Sequence, residues 1–386
     1  MKLALLVNPI AGMGGQVALK GTDGLVEKAR ELGAKPISPQ RASVFLKFLV
    51  AELRSAGVPD VHLFVAPAPM GAQLLGPLFA ELGCEVLDVP LSSPDTTSAA
   101  DTQTVVQEFE RLGVSLILFV GGDGTSVDVA QSLTQGTPIL GVPSGVKTYG
   151  AVFVHSPEEA AKVVASFVQN PVTREAEILD LDEDAYRRGE LQVQLLGHAH
   201  VPALPEYFQL AKTPTLNHEL ESDVLSRVGE ELAERFAQAP VGTLFVVGPG
   251  STLDSFAQMI GFERSVLGVD VVVRQEDDSA QVLLLDARED QLFDLLTHHD
   301  LTYLLVTPIG GQGFLFGRGN HQLSARVLRY VGKQHIWVVA SPQKLRSVQG
   351  GVLRVDTRDS AVDELLAGYI RVIVDRGEEE MVRVVR

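Results

Sequence analysis

Asp123 stands in the stretch SLILFVGGDGT, residues 115–125, with Gly121, Gly122 and Gly124 around it. Glycine removes the Cβ atom that keeps another molecule off a backbone, so this carboxylate sits in a bare loop. The run before it, Leu116, Ile117, Leu118, Phe119 and Val120, is short, apolar and bounded by glycine, which is the pattern of a buried strand. Thr125 reads as the N-cap of a helix extending to about Leu133. A strand, a bare loop with one carboxylate and a helix start together suit a phosphate-bearing ligand. The same residues also suit a tight strand-to-helix turn closed by a capping Asp.

Other loops carry related chemistry. NPIAGMGG, residues 8–15, follows the first apolar run and brings Asn8, Gly12 and Gly14. Thr22 or Asp23 then caps a helix over 25–32. The turn-rich stretch 92–98 holds Asp95, and GVPSGVKTYG, residues 141–150, holds Ser144 and one cation, Lys147, a plausible phosphate ligand or a solvated side chain. Further along, GPGST (248–252) brings Gly250 and Ser251 to a second glycine-rich strand-to-helix turn. The stretch 307–320, TPIGGQGFLFGRGN, contains five glycines, Gly310 and Gly311 among them, and reads as a long functional loop. Its Arg318 is the best candidate there for a fork onto phosphate or carboxylate. Metal ligands are left unassigned: His198 and His200 lack a third partner, and the acidic run 180–184 reads as a solvated turn.

The elements that must position these loops alternate. Strands are expected at 2–7, 61–65, 85–89, 116–120 and 137–140, with helices at 41–55, 70–82, 100–112 and 157–168 between and after them. That order predicts an α/β fold with a doubly wound parallel sheet, placing Asn8, Asp95, Asp123 and Ser144 at one edge. The acidic, polar character after 170 suggests a domain boundary, giving an N-terminal nucleotide-binding domain over 1–170 and a second, C-terminal α/β domain over 171–386. A long amphipathic helix at 220–236 and strands at 242–247, 267–273, 281–286, 301–306, 335–340 and 370–374 fill the second domain.

Composition narrows the classes. A length of 386 residues allows two domains, and a net charge of -17 argues against non-specific nucleic-acid binding and against docking on anionic membranes. Cys84 is the single cysteine, so no intramolecular disulfide forms and a reducing compartment is the default. The apolar part of MKLALLVNPIAG is too short for a secretory signal, and no run reaches the roughly 20 apolar residues of a membrane span. The expectation is a soluble, cytoplasmic protein acting on a small molecule.

GGDGT together with the early NPIAG resembles the kinase superfamily that includes NAD kinases, diacylglycerol and sphingosine kinases, and 6-phosphofructokinases. NPIAGMGG with LKGTDG, then GGDGTSVD, then GVPSGVKTYGAVF, resembles the archaeal and bacterial ATP-NAD kinase-like branch, which includes the AcoX proteins. VTPIGGQGFLFGRGNHQLS is similar to the same branch and loosely to the TPTGSTAY loop of ordinary NAD kinases. The resemblance implies an N-terminal NAD kinase/diacylglycerol kinase-like domain with Asp123 at the phosphoryl-transfer centre, accepting the acceptor hydroxyl's proton or helping to hold Mg²⁺. It implies ATP and Mg²⁺ as cofactors, phosphates cradled by backbone N–H groups of 8–15 and 121–125, added charge from Lys147, and a homo-oligomer. It implies NAD as acceptor, phosphorylated at its 2′-hydroxyl to give NADP, with Asp23, Asp95, Gly250, Ser251, Gly310, Gly311 and Arg318 as candidate substrate contacts.

Two departures keep other readings open. Ordinary NAD kinases have a β-rich C-terminal domain with an Asn-Glu or Asn-Asp pair on the nicotinamide nucleotide. The nearest counterpart here is Asn217 with Glu219, one residue out of step, in a half that reads as α/β. A kinase of another nucleotide cofactor or a phosphosugar fits the GPGST turn. A catalytically silent nucleotide-binding regulator fits Gly311-Gln312-Gly313, which stands where the TPTGSTAY loop has its Ser-Thr-Ala portion.

Overall fold

The computed structural model describes all residues except 20–24, 59, 77–81, 93–96, 145–147, 182–192, 210–217 and 266. The chain forms two compact units: Met1–Met13 with Gly21–Ala211, and Gly14–Lys20 with Lys212–Arg386. Both are α/β.

In the first unit β1 (Lys2–Val7), β2 (His62–Val65), β3 (Gly83–Val86), β4 (Leu116–Gly121) and β5 (Ile139–Pro143) form one parallel sheet in the order β3-β2-β1-β4-β5. Residues Leu3 to Val7 and Leu116 to Val120 are fully buried. Helices cover both faces of such a sheet, which is why its central strands read as unbroken apolar runs. The helix Ser38–Ser55 turns Ala42, Phe45, Leu46, Leu49, Val50 and Leu53 inward, the spacing of one helical face. Each fully buried Leu or Phe contributes about 1.5–3 kcal/mol.

The strand order fixes where a ligand belongs. From β1 the chain builds outward through β2 and β3, then returns to place β4 on the other side of β1. Loops leaving β1 and β4 therefore diverge, and the crevice at their carboxyl ends is the usual ligand site of an open α/β sheet. Val7 pairs with Val120, so Asn8 and Gly121 leave that edge side by side.

Several local expectations are corrected. The expected helix over 70–82 does not run through 70–76, which hold a 3₁₀ turn, Ala72–Leu74, because Gly71 and Gly76 interrupt the pattern; 77–81 lie outside the described residues. Of the acidic run 180–184, expected as a solvated turn, Asp180 and Leu181 instead end strand β6 (Thr173–Leu181), paired antiparallel with β7 (Val193–Pro202), and 182–184 lie outside the described residues. Glu175 and Glu177 lie opposite His200 and His198 there, so these polar residues share the hairpin's register. This hairpin packs with the first unit.

The second unit holds a nine-stranded mixed sheet. Its strands are β8 (Leu244–Val247), β9 (Asp270–Arg274), β10 (Ala280–Leu284), β11 (Thr302–Val306), β12 (Phe314–Phe316), β13 (Ile336–Val339), β14 (Leu353–Val355), β15 (Gly368–Asp375) and β16 (Glu378–Val385). Their order is β10-β9-β8-β11-β13-β15-β16-β14-β12. Alternate residues serve two cores. Leu244 and Val246 join the Glu289–Leu296 and Ala325–Val331 side, while Phe245 and Val247 join Phe236 of the helix His218–Gln238 and Phe256 of the helix Asp254–Met259. The expected loop 307–320 is more ordered than its glycines suggest. It contains a 3₁₀ turn, Gly310–Gln312, and the edge strand β12, paired with β14.

Candidate functional site

In the first unit the helix Asp123–Ser132 begins two residues before the expected cap, with Gly122 as N-cap in extended conformation. Asp123 is therefore the first helical residue, where a carboxylate is favoured by the helix dipole. It is 7% exposed. Its carboxylate is aimed by the segment that follows β5: Tyr149 N–H donates to both carboxylate oxygens at 2.9 Å, and Gly150 N–H donates to Oδ1 at 3.1 Å. The hairpin braces that segment, since Ala151 N–H donates to the Glu177 carbonyl at 3.0 Å. Burial first, then the negative charge of Asp123, push the Tyr149 phenol above its ordinary value, so it stays protonated.

Around this carboxylate the loops are tied to one another. Asn8 Nδ2 donates to Thr125 Oγ1 at 2.9 Å, and Asn8 Oδ1 accepts from Ile10 N–H at 3.2 Å. Ser144 N–H donates to the Gly121 carbonyl at 2.9 Å. Ser144 and Ser38 hydroxyls meet at 2.8 Å, and Ser38 also donates to the Ala11 carbonyl at 3.0 Å. Arg41 Nε donates to the Pro143 carbonyl at 3.0 Å. Gly12 has φ +81°, and a Cβ there would stand 1.9 Å from the Ser144 carbonyl oxygen. The structure thus brings together Asn8, Gly12, Gly121, Gly122, Asp123, Gly124, Thr125 and Ser144. Lys147, Asp23 and Asp95 lie outside the described residues, as does Asn217.

Asp101 was not singled out by the sequence reading, although Ser98 and Asp101 have the Ser-x-x-Asp spacing of a capping box. It closes that box on the helix Ala99–Arg111 and also takes the Ser92 N–H at 2.7 Å and the Ser92 hydroxyl at 2.5 Å. Burial raises the Asp101 carboxyl, but the bonds from Ser92 and Ser98 outweigh it and bring the group down from 3.8 to about 2. Because the folded value is depressed, the stabilisation is complete above 3.8 and is lost as pH falls toward about 2. Asp101→Asn is expected to remove about 1 kcal/mol at neutral pH and to flatten the thermal midpoint against pH across that acid window. Melting curves of both proteins check this.

In the second unit Gly14 and Gly15 lie in the 3₁₀ turn Met13–Gly15, where a Cβ on Gly15 would stand 2.2 Å from His321 Nδ1. His321 Nε2 is 2.8 Å from the Gly317 carbonyl and 2.6 Å from Arg358 Nη2. Burial first, then the charges of Arg358 and Arg318, hold this imidazole well below its ordinary value, so it is neutral. Arg318 is 2% exposed, 3.2 Å from Asp356, and stacked over Phe314 at 5.0 Å. Gly250 caps the 3₁₀ turn Ser251–Leu253, and Ser251 is exposed. Gly310 and Gly311 lie in the turn Gly310–Gln312. Thr252, Thr307 and Lys344 form a cluster nearby that the sequence reading missed, because Lys344 comes from the short helix Pro342–Ser347 after a third strand, with no glycine signature.

Among the described residues no group of three or more His, Cys, Asp or Glu side chains could hold a metal ion, and no helix is long and apolar enough to cross a membrane. Residues 3–172 match the family model described as the ATP-NAD kinase N-terminal domain, and residues 242–384 match the ATP-NAD kinase C-terminal domain. No curated protein matches the chain. Similar solved structures include a diacylglycerol kinase from Bacillus anthracis strain Sterne, 19% identical over 47% of this chain and 48% of that one, with a TM-score of 0.24. Another is an NAD kinase from Archaeoglobus fulgidus in complex with ATP, 17% identical over 47% of this chain and 43% of that one, with a TM-score of 0.19. The matches span less than half the length of either solved chain.

Proposed function

Since the chain belongs to the ATP-NAD kinase family, we propose that it transfers the γ-phosphoryl group of ATP to the adenosine-ribose 2′-hydroxyl of NAD, giving NADP and ADP. The coarser part follows from the family: the protein is a kinase-type phosphotransferase. The observation that best supports the finer part is Asp123, held at the carboxyl end of β4 by the Tyr149 and Gly150 N–H groups amid loops pinned by Asn8–Thr125 and Ser38–Ser144.

In this reading the 2′-oxygen attacks the γ-phosphorus, the bond from that phosphorus to the β-γ bridging oxygen breaks, and the electron pair leaves with ADP. The hydroxyl proton passes to the Asp123 carboxylate and then to solvent. Phosphoryl transfer demands mostly positioning and charge neutralisation. Asp123 orients the nucleophile, while the bare backbone of 121–125 and the loop 8–12 lets phosphate oxygens approach N–H groups. Mg²⁺ is usually held by one or two carboxylates together with substrate phosphates. Among the described residues Asp123 belongs to no group of three or more potential metal ligands, and a single buried carboxylate fits a cation that arrives on ATP, where it would neutralise phosphate charge. Asp23, Asp95, Lys147, Gly250, Ser251, Gly310, Gly311 and Arg318 remain proposals for substrate contacts.

Incubation with ATP, Mg²⁺ and NAD, followed by mass spectrometry, is expected to yield NADP. A mixed pool of nucleotide cofactors and phosphosugars goes in parallel. Phosphorylation of another pool member without NADP would replace the acceptor. ATP binding with no product from any member would replace the transferase reading with that of a nucleotide-binding regulator.

A further inference from the structure

The second unit has its own carboxyl edge, and the segments that follow three of its strands converge there: the 3₁₀ turn Ser251–Leu253, the residue after β11 and the helix Pro342–Ser347. Strands β8, β11 and β13 are adjacent and parallel. Thr252 follows β8, Thr307 follows β11 directly, and Lys344 follows β13. Lys344 Nζ donates to Thr307 Oγ1 at 2.8 Å and to Thr252 Oγ1 at 3.1 Å. Thr307 in turn donates its hydroxyl to Thr252 Oγ1 at 3.2 Å.

This chain of donors has a direction. A threonine hydroxyl has two acceptor lone pairs and one proton. Thr252 Oγ1 accepts from both Lys344 and Thr307, so its remaining capacity is as a donor. The residue is 6% exposed, and among the described residues no acceptor is recorded for that proton. A buried donor without an acceptor is unfavourable, and here it stands beside a fixed ammonium group.

The surrounding backbone is arranged for close approach. Gly250 has φ +116°, and a Cβ on it would stand 2.8 Å from Thr307 Cγ2, so only glycine brings this loop against Thr307. Arg264 takes the Gly248 and Gly250 carbonyls at 2.6 and 2.7 Å and is anchored by Asp254 at 2.8 Å. Those carbonyl dipoles are thereby spent on Arg264. An ammonium, a hydroxyl restricted to donating and a pinned glycine loop share one complement, an anion with several oxygens. Lysine serves as a point charge for phosphate.

We propose that Lys344, Thr252 and Thr307 form a binding site for the phosphoryl group of a small-molecule ligand on the second unit. The site extends the reading of Gly250 and Ser251 as substrate contacts and adds the residues that carry its charge. It does not depend on Asp123.

The test is calorimetric titration of the full chain with inorganic phosphate, without ATP or Mg²⁺, so that failure leaves the transferase reading untouched. Wild type is expected to show a saturable phosphate site. Lys344→Met and Thr252→Val are each expected to weaken it at least about tenfold, and Thr252→Ser, which keeps the hydroxyl, to restore it. Acetate at the same concentrations is expected not to compete. Absence of saturable phosphate binding in wild type, unchanged affinity in Lys344→Met or in Thr252→Val, or equal binding of acetate would each overturn the proposal.

Discussion

Asp123→Asn is expected to lower the turnover number by about 10²–10⁴-fold, the usual contribution of a positioned acid–base group. The substitution is nearly isosteric, so the β4 edge and the following helix keep their path. Its local chemistry changes in two ways. The carboxylate that orients the acceptor hydroxyl and takes its proton becomes an amide, which cannot accept that proton. One oxygen also becomes an NH₂ group facing the Tyr149 and Gly150 N–H donors, which now share a single acceptor. Leaving one buried donor without a partner costs about 1–3 kcal/mol. The capping reading and the catalytic reading therefore make different forecasts on one protein. Capping alone predicts a lower urea midpoint with turnover unchanged, whereas catalysis predicts both changes. Steady-state product formation and urea denaturation on the same preparation separate them. A turnover number within about twofold of wild type would remove Asp123 from the acid–base step.

The sheet edge around Asp123 was legible because its signals are local. Leu116 to Val120 is an uninterrupted apolar run ending in glycine, and burial on both faces of a parallel sheet produces that pattern. The exact helix start was not legible, because Asp123 and Thr125 are both favourable near a helix N-terminus. The partners of Asp123 were hidden for another reason. Tyr149 and Gly150 contribute backbone N–H groups, which every residue but proline possesses. β6 was not legible because a hairpin strand with polar side chains, Glu175 and Glu177 opposite His200 and His198, lacks the apolar run or alternation that marks a buried strand. Lys344 was invisible for a topological reason. It meets Thr252 and Thr307 across 92 and 37 residues, and only the order β8-β11-β13 makes them neighbours.

Gly12→Ala and Gly124→Ala should part company, and their contrast tests why these loops are bare. At Gly12 a methyl group would stand 1.9 Å from the Ser144 carbonyl oxygen, at a φ of +81°. Backbone on both sides leaves no rotamer to absorb the overlap. Left-handed strain costs about 1–2 kcal/mol and overpacking about 1–3 kcal/mol. A loss of about 3 kcal/mol in urea denaturation is therefore expected, with the 8–12 loop displaced from Ser144. At Gly124 a Cβ meets nothing within 4 Å, φ is outside the left-handed region, and the residue is exposed in the first turn of the helix Asp123–Ser132. Alanine there is expected to leave stability unchanged or raise it by up to about 1 kcal/mol. If Gly124 is bare so that a phosphate can reach the backbone, the stable Gly124→Ala protein will still bind ATP about tenfold more weakly. If the glycines serve the turn alone, its ATP affinity will equal that of wild type, and only Gly12→Ala will be impaired. Nucleotide titration of the two variants, read beside their urea midpoints, therefore separates glycine kept for the fold from glycine kept for a ligand.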